Sequence, residues 1–89
     1  MAKVVLVKTL AASAGVQDKM QVPGETVGEV LDTMCERHAT LRPHLLAANG
    51  KPKGHVLLVI GEDQADAATP IDDAAELRIL LATAGGLAG

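Results

Sequence analysis

Two adjacent glycines near the end of the chain are the residues best suited to chemistry. Gly85 and Gly86 follow the apolar segment 80–84 and precede Leu87-Ala88-Gly89. Because glycine has no Cβ, a Gly-Gly pair forms a thin, freely rotating backbone that is costly in a core but can enter another protein's narrow active site. This pattern predicts that the segment is a substrate for a partner. The alternative is an ordinary chain end, since termini are often disordered and rich in small residues.

A second candidate constellation is a partial zinc site. Cys35 and His38 lie three positions apart on a predicted helix, and His44 follows. A structural zinc site needs four ligands, and the chain has no second cysteine to complete one. Cys35 as a nucleophile would need a base in a cleft that so small a domain does not build. We therefore predict core or boundary positions for Cys35 and His38, no metal, and no catalytic residue.

Composition and charge narrow the function classes further. The chain has 89 residues, enough for one domain, and no Phe, Tyr or Trp on which nucleic-acid bases could stack. The net charge is −3, and Lys and Arg form no cluster, so nucleic acid is excluded as a partner. No apolar run reaches membrane-spanning length or resembles a signal peptide. With a single cysteine, these features predict a cytoplasmic protein that is not membrane-bound.

Carboxylates are concentrated in the second half of the chain, close to the tail in sequence. They either steer docking towards a basic partner surface or form a solvated face. Lys51 and Lys53 are interpreted as turn residues that face the solvent. The carboxylates are Glu62, Asp63, Asp66, Asp72, Asp73 and Glu76.

The first part of the chain predicts two strands. Residues 3–10 are nearly continuous in aliphatic character, which is typical of a central strand. Small residues at 11–15 predict a turn, and the alternation within 17–22 predicts a hairpin partner that ends at Pro23-Gly24.

One helix begins at Thr26. Its hydroxyl can cap a backbone N–H while Glu29 reaches back to complete a capping box. Gly28 in the first turn predicts a close approach to the sheet. The predicted packed face consists of Val27, Val30, Leu31, Met34 and His38.

The remaining elements follow from turn signals and apolar runs. Pro43 predicts a turn or a short second helix rather than continuation of the first. We expect a turn or short helix at 41–48, a turn at 49–54, a strand at 55–61, a loop with a short edge strand at 62–69, a turn at 70–75 and a final strand at 76–82.

This order predicts an α+β fold. Two strands, a helix and two or three further strands favour a mixed sheet of four to five strands in which the first and last strands are adjacent and the helix packs on one face. That arrangement is the ubiquitin-like β-grasp. We assign residues 1–84 to this domain and residues 85–89 to a flexible tail with a short extension.

The fold and tail together resemble the ThiS/MoaD family of bacterial sulfur carriers. The resemblance covers almost the whole chain. Its motifs are specific to the family only when they occur together. It rests on the strand 3–10, the segment 23–31 that opens the helix, the strand 55–61, Thr69-Pro70-Ile71-Asp72-Asp73, and Ala84-Gly85-Gly86.

The resemblance implies that the chain is a co-substrate and not an enzyme. In that family a ubiquitin-activating-type enzyme uses ATP to adenylate the carboxylate of the terminal glycine, here Gly86, and sulfur transfer yields a thiocarboxylate. Ala84 and Gly85 would enter the activating enzyme. The implied partners are that enzyme, a sulfur donor such as a rhodanese or persulfide enzyme, and a downstream sulfur-accepting synthase. No cofactor is expected on the chain itself.

The chain departs from the family pattern after the glycine pair. While Leu87-Ala88-Gly89 remain attached, the Gly86 carboxyl is held in a peptide bond and cannot be adenylated. Some family members resemble substrates of a zinc JAMM-type peptidase, which implies cleavage between Gly86 and Leu87. The alternatives are that the extension is an expression scar, or that Gly89 is the working terminus of an inert tail.

Two other function classes remain open. A ubiquitin-like modifier would join Gly86 to a lysine amine of another protein, and a non-covalent interaction module would not use its tail. The pathway that receives the sulfur is also open, with cysteine, molybdopterin, thiamine and secondary-metabolite biosynthesis as candidates.

Overall fold

A mixed sheet carries the predicted helix on one face. The computed structural model describes residues 1–83 and 86–87. The elements of these residues are β1 (Ala2–Leu6), α1 (Lys8–Ala14), β2 (Lys19–Val22), α2 (Val27–Arg37), a 3₁₀ helix (Ala39–Leu41), α3 (Arg42–Leu45), β3 (Val56–Ile60), β4 (Asp63–Gln64), β5 (Glu76–Thr83) and β6 (Gly86–Leu87).

The strand order confirms the predicted topology. The sheet runs β2-β1-β5-β3-β4, and β6 pairs with β5 outside that path. β1 and β5 are parallel neighbours in the register Lys3↔Glu76 to Leu6↔Ile79. The other pairs are antiparallel. The strand predicted at 3–10 and the strand predicted at 76–82 therefore lie side by side at the centre, and the fold is the ubiquitin-like β-grasp.

The core lies between the sheet and α2. Alternate residues of the central strands point towards the helix, because successive side chains of a strand point to opposite faces. The helix contributes Val27, Val30, Leu31 and Met34, as predicted, and each is at most 1% exposed. Among the residues that the structure describes, every core side chain is aliphatic, sulfur-containing or Ala. The inward-facing residues of β1 and β5 are Ala2, Val4, Leu6, Leu77 and Ile79.

Thr26 caps α2 as the sequence predicts. Its hydroxyl oxygen accepts a hydrogen bond from the Glu29 backbone N–H at 3.2 Å. The second half of the capping box differs, because the Glu29 carboxylate accepts from the Thr26 hydroxyl at 3.5 Å instead of from the Thr26 backbone. One backbone donor of the first turn is thereby satisfied by a side chain.

The largest difference from the prediction is α1. The strand predicted to reach Leu10 ends at Leu6, and the turn predicted at 11–15 is the second half of a helix that begins at Lys8. Leu10, Ala11 and Ala14 are buried on one side of it. The prediction was wrong because these three residues follow helical spacing, and Gly15, with φ of 71°, ends the helix in a left-handed conformation.

Gly28 makes a close approach, but not to the sheet as predicted. Its N–H donates to the Ala67 carbonyl oxygen at 2.9 Å. A Cβ at this position would lie 3.0 Å from the same oxygen. The neighbouring Val27 N–H donates to the Thr69 carbonyl at 3.0 Å, so the start of α2 binds the loop between β4 and β5.

The remaining predicted elements are present. The segment 41–48 contains α3, preceded by the 3₁₀ helix, and the loop at 62–69 contains the short edge strand β4. In the turn at 49–54, the Asn49 side-chain oxygen accepts from the Lys51 N–H at 3.0 Å. Within the described ranges, no helix has the length and apolar character needed to cross a membrane.

Candidate functional site

The tail follows β5, a central strand of the sheet, in the chain. β5 pairs with β1 as far as Ile79 and with β3 as far as Leu81, and it then continues to Thr83. The end of β5 therefore extends past its neighbours. We call this side of the sheet, which is formed by the strand ends nearest to Thr83, the tail edge. Because β5 is held by strands on both sides, the point from which the tail starts is fixed relative to the rest of the domain.

The predicted reacting and processing residues lie beside the end of β5. Gly86 and Leu87 form β6, which pairs with β5 in the register Thr83↔Gly86 and Ala82↔Leu87. Ala84 and Gly85, predicted to enter the activating enzyme, lie outside the described residues. The peptide bond predicted for cleavage, between Gly86 and Leu87, belongs to the two-residue strand.

The sheet face opposite α2 is the second component of the site. We call it the outer face. Its side chains alternate with the core residues along each strand, and the ladder register brings them together: Val5 and Val59 both pair with Arg78, and Leu57 pairs with Leu80. No described helix packs on this face in the way that α2 packs on the core. The outer face is thus the broad surface adjoining the tail.

Four aliphatic side chains form the centre of the outer face. Val5, Leu57, Val59 and Leu80 are half-buried and are absent from the partly buried residues that pack against the core. We call this group the outer patch. The Leu57–Leu80 pair is the part of the patch nearest to the tail, because Leu80 lies only three residues before Thr83, the last residue of β5. An apolar group on an otherwise solvated face is typical of a protein interaction site.

Cationic side chains border the outer patch. Lys3, Lys19 and Arg78 are exposed and line one shallow depression together with Gln21 and Glu76. Between residues 1 and 83, none of these three cations forms an ion pair within 4.0 Å. Their charges are therefore available to a partner.

The acidic cluster lies at the opposite strand ends, near the start of β5. Asp63 is level with Ile60 and thus with Leu77, and Asp72 and Asp73 precede β5. From Glu76 to Thr83, β5 spans about 23 Å at about 3.3 Å per residue, so these carboxylates are far in space from the end of β5 that precedes the tail. Asp73 also forms an ion pair with the Met1 amino group at 2.5 Å. The cluster does not surround the end of β5.

Cys35 and His38 occupy the predicted core and boundary positions. Cys35 is 2% exposed, and burial raises the pKa of its thiol, with nearby Arg42 partly opposing and Asp32 adding to the shift. His38 is half-buried at the end of α2. In the part of the chain that the structure describes, no group of three or more His, Cys, Asp or Glu side chains could hold a metal ion. A buried neutral thiol is a poor nucleophile.

Sequence reasoning missed the outer face. It treated 3–10 as a central strand that is covered on most sides, because its apolar run is nearly continuous. The signal lay in the final strand, where Glu76, Arg78 and Leu80 alternate with the buried Leu77 and Ile79. That alternation is typical of a sheet with one face exposed.

Of the comparisons with known proteins, only the one with solved structures found matches, and these support the fold. No protein-family model matches the chain, and no curated protein matches it in sequence. Solved structures match almost its whole length, among them three from different species. CysO in the Amycolatopsis orientalis BexX/CysO complex is 23% identical with a TM-score of 0.81, covering 97% of this chain and 100% of that chain.

The other two give the same result. SAMP1 from Haloferax volcanii is 24% identical with a TM-score of 0.78, covering 96% of this chain and 98% of that chain. Mycobacterium tuberculosis CysO is 21% identical with a TM-score of 0.79, covering 93% and 100%. Identities this low establish the fold and leave the activity to other arguments. The chain is a ubiquitin-like β-grasp protein with the fold of CysO and SAMP1.

Proposed function

We propose that this chain is a sulfur-carrier protein of the ThiS/MoaD type and a co-substrate of other enzymes. The observation that carries the proposal is the combination of a β-grasp domain with a Gly-Gly segment that follows directly from its central strand. The structural likeness to CysO supports it, because that protein was crystallised in complex with BexX and so has a protein partner. The domain provides recognition, and the tail provides the reacting atom.

The proposed chemistry takes place at the carboxyl carbon of Gly86. A carboxylate is a poor electrophile, so one of its oxygens first attacks the α-phosphate of ATP in an adenylating partner, and pyrophosphate leaves. A sulfur nucleophile then displaces AMP from the acyl adenylate. If a rhodanese or another persulfide enzyme supplies that sulfur, the product is an acyl disulfide, and a second thiol reduces it to the thiocarboxylate. The downstream synthase receives this sulfur.

Removal of Leu87-Ala88-Gly89 precedes activation in this scheme. A zinc JAMM-type peptidase would cleave between Gly86 and Leu87, using metal-bound water as the nucleophile. Proteases bind their substrates as extended segments, so β6 must separate from β5 before cleavage. A pairing of only two residues is a weak obstacle, because short isolated strand pairs are marginally stable in water.

We place the carrier in the cytoplasm, where ATP is available to the adenylating partner, and we assign it no bound cofactor. Cysteine, molybdopterin, thiamine and secondary-metabolite biosynthesis all remain candidates for the accepting pathway. The chain would meet its enzymes one at a time, since each of them needs the same tail.

A ubiquitin-like modifier is the second candidate function. The likeness to the small archaeal modifier protein SAMP1, at 24% identity, favours it. Both functions use the same Gly86 adenylate and differ in the group that attacks it. A sulfur nucleophile leaves a thiocarboxylate, whereas a lysine amine leaves an isopeptide bond and heavier conjugates.

The test is the intact mass of the protein purified from its source cells, with fragmentation of the C-terminus. A chain that ends at Gly86 with one terminal oxygen replaced by sulfur supports both processing and the carrier function. A ladder of conjugates that disappears in Gly86→Pro supports the modifier instead. A chain that ends at Gly89 with an ordinary carboxylate contradicts both, and Gly54→Pro serves as the control for a remote glycine.

A further inference from the structure

The strand β2 forms a free edge of the sheet. In the strand order β2-β1-β5-β3-β4 it has a neighbour on one side only. It has four residues, whereas β4 at the other end and β6 beside β5 have two residues each. Backbone N–H and C=O groups on a free edge can pair with a strand of another molecule. Among the strands that the structure describes, β2 is therefore the longest free template for such pairing.

The ladder register determines which backbone groups of β2 point outwards. Asp18, just before β2, lies opposite Leu6, and its carbonyl accepts from the Leu6 N–H at 2.7 Å. Bonded and non-bonded residue pairs alternate in an antiparallel ladder. Met20 is therefore bonded to β1, whereas the N–H and C=O groups of Lys19 and Gln21 point to the free edge.

Two contacts support this orientation. On β1, Lys3 lies opposite Gln21, and its N–H points to the other neighbouring strand, where it donates to the Ala75 carbonyl at 3.4 Å. At the free edge, the Gln21 carbonyl accepts from Arg37 Nη1 of α2 at 3.5 Å. Within the described residues, the Lys19 N–H, the Lys19 carbonyl and the Gln21 N–H form no hydrogen bond with the protein. Three of the four outward groups can thus bond to a partner's backbone.

The side chains along this edge combine an apolar group with cations. Met20 is half-buried and points to the core side, since it lies opposite the buried Val4. Lys19 is exposed on the outer face, and Arg37 is exposed on the helix side of the edge. The adjoining acidic residue, Asp18, is half-buried. A strand added to β2 would therefore meet an apolar side chain on the core side and a cation on each side of the sheet.

We propose that the free edge of β2 binds an extended acidic segment of another protein by strand addition. The backbone of the segment would pair with Lys19 and Gln21 and would replace Arg37 on the Gln21 carbonyl. Because successive side chains of a strand point to opposite faces, carboxylates would lie beside Lys19 while apolar groups cover Met20. In this mode of recognition the main-chain hydrogen bonds supply affinity and the alternate side chains supply specificity.

The free edge is separate from the tail. β1 lies between β2 and β5, so the axes of β2 and β5 are roughly 10 Å apart at the usual spacing of neighbouring strands. Strand addition to β2 requires neither Gly86 nor its activation. The proposal therefore goes beyond the proposed function, and either can fail without the other.

A second copy of the chain fits this edge less well. Antiparallel pairing of β2 with itself around Met20 would place Lys19 beside Gln21 of the other copy and satisfy the outward backbone groups. It would also gather two copies of Lys19 and two of Arg37 around one short strand pair. Like charges at this distance repel, and lysine on an edge strand is one way in which proteins prevent self-pairing. The positive charge therefore favours an acidic occupant.

The test is amide hydrogen exchange, followed by NMR on the full chain with the peptide acetyl-Glu-Val-Glu-Val-Glu-amide as the probe. We expect the saturating peptide to slow exchange of the Lys19 and Gln21 N–H groups about tenfold or more, because these groups gain an acceptor. The Met20 N–H should change little, because it is already bonded to β1. The peptide acetyl-Lys-Val-Lys-Val-Lys-amide keeps the apolar residues, reverses the charge and should not bind.

Variants separate the backbone from the charge. Gln21→Pro removes an outward N–H and leaves the hydrogen bonds between β1 and β2 in place, an orientation in which edge strands tolerate proline. We expect it to fold, as verified by circular dichroism, and to lose the peptide. Lys19→Glu should weaken binding about fivefold at low salt and less as salt is raised. Lys51→Glu makes the same charge change in the exposed turn at 49–54 and should bind as the wild type does.

N-methylated peptides keep the test decisive even if Gln21→Pro does not fold. In an added strand, alternate N–H groups point to β2 and the others point away. Methylation at all Glu positions or at all Val positions should therefore abolish binding, while the other pattern leaves binding intact.

Four results would overturn the proposal. Unchanged exchange at Lys19 and Gln21 in excess acidic peptide shows that the edge does not accept a strand. Equal binding of the two N-methylated peptides shows attraction between charges without strand pairing. Equal binding of the basic peptide shows that the edge has no preference for acidic segments. Slow exchange of both N–H groups in the wild type alone, together with a dimer in sedimentation, assigns the edge to a second copy.

Discussion

Gly24→Ala should destabilise the domain strongly, because the space beside Gly24 is filled by the first turn of α2. A Cβ built at Gly24 would lie 2.8 Å from Val30 Cγ2 and 2.9 Å from the Val30 backbone nitrogen. The methyl group can rotate away, but the nitrogen moves only with the helix, which packs on the core through Val30 itself, 0% exposed. Overpacking typically costs 1–3 kcal/mol, and the backbone contact places this variant near the upper value, about 3 kcal/mol.

The assay is equilibrium unfolding followed by far-UV circular dichroism, since the chain has no Trp or Tyr for fluorescence. A loss of about 3 kcal/mol corresponds to a decrease in Tm of about 12 °C or more for a domain of this size. The added methyl of Gly24→Ala should also be partly tolerated when Val30→Ala removes Cγ2. The remaining clash with the Val30 nitrogen predicts that this rescue is incomplete.

Gly54→Ala is the matched control. A Cβ at Gly54 would meet nothing within 4 Å, and its φ is not positive. We expect this variant to be neutral or up to about 1 kcal/mol more stable, because alanine reduces the entropy of the unfolded chain. The steric reasoning is refuted if Gly24→Ala lies within about 0.5 kcal/mol of Gly54→Ala.

Three further predictions concern α2. Thr26→Ala removes the cap on the Glu29 N–H and should cost about 1 kcal/mol in urea unfolding, with Thr26→Ser retaining most of the stability. Met34→Ala empties a site that is 0% exposed and should cost about 2–5 kcal/mol, whereas Met34→Leu should cost less than about 1.5 kcal/mol. Burial raises the pKa of Cys35, so the folded state holds this proton more tightly than the unfolded state does. Stability should be unaffected below pH of about 8.5 and should fall above it as the pH rises towards the folded pKa. Cys35→Ala should remove this decline, and an unchanged pH profile would contradict it.

The sequence was most informative where the signals were local. Thr26 and Glu29 predicted the start of α2, and the apolar spacing from Val27 to Met34 predicted its buried face, because both depend on residues within a few turns. The turn at 49–54 was also predicted from local signals. The seven-residue α1 was missed because it is too short to show helical periodicity beyond doubt, and its Ala-rich composition also suits a turn.

Only part of the candidate site could be predicted from the sequence. The Gly-Gly pair is a local pattern, so it could be identified without coordinates. The outer patch could not, because Val5, Leu57 and Leu80 come together only through the ladder register. Asp72 and Asp73 are near the tail in sequence, but the length of β5 separates them from Thr83, a distance that only the fold reveals. Gly28 meets Ala67 for a similar reason, through a loop whose path no local signal predicts.

The parallel pairing of β1 with β5 has a consequence for folding. Lys3 pairs with Glu76, so the first strand to leave the ribosome waits for the last long strand before the centre of the sheet can close. Contacts so distant in sequence slow folding, because the loop-closure entropy is lost before the contacts form. Until β5 is synthesised, β1 has only β2 beside it, and its other edge stays open to unwanted pairing. Completion of the hydrophobic core and arrival of the glycine pair are therefore nearly simultaneous, and a prematurely terminated chain would lack both.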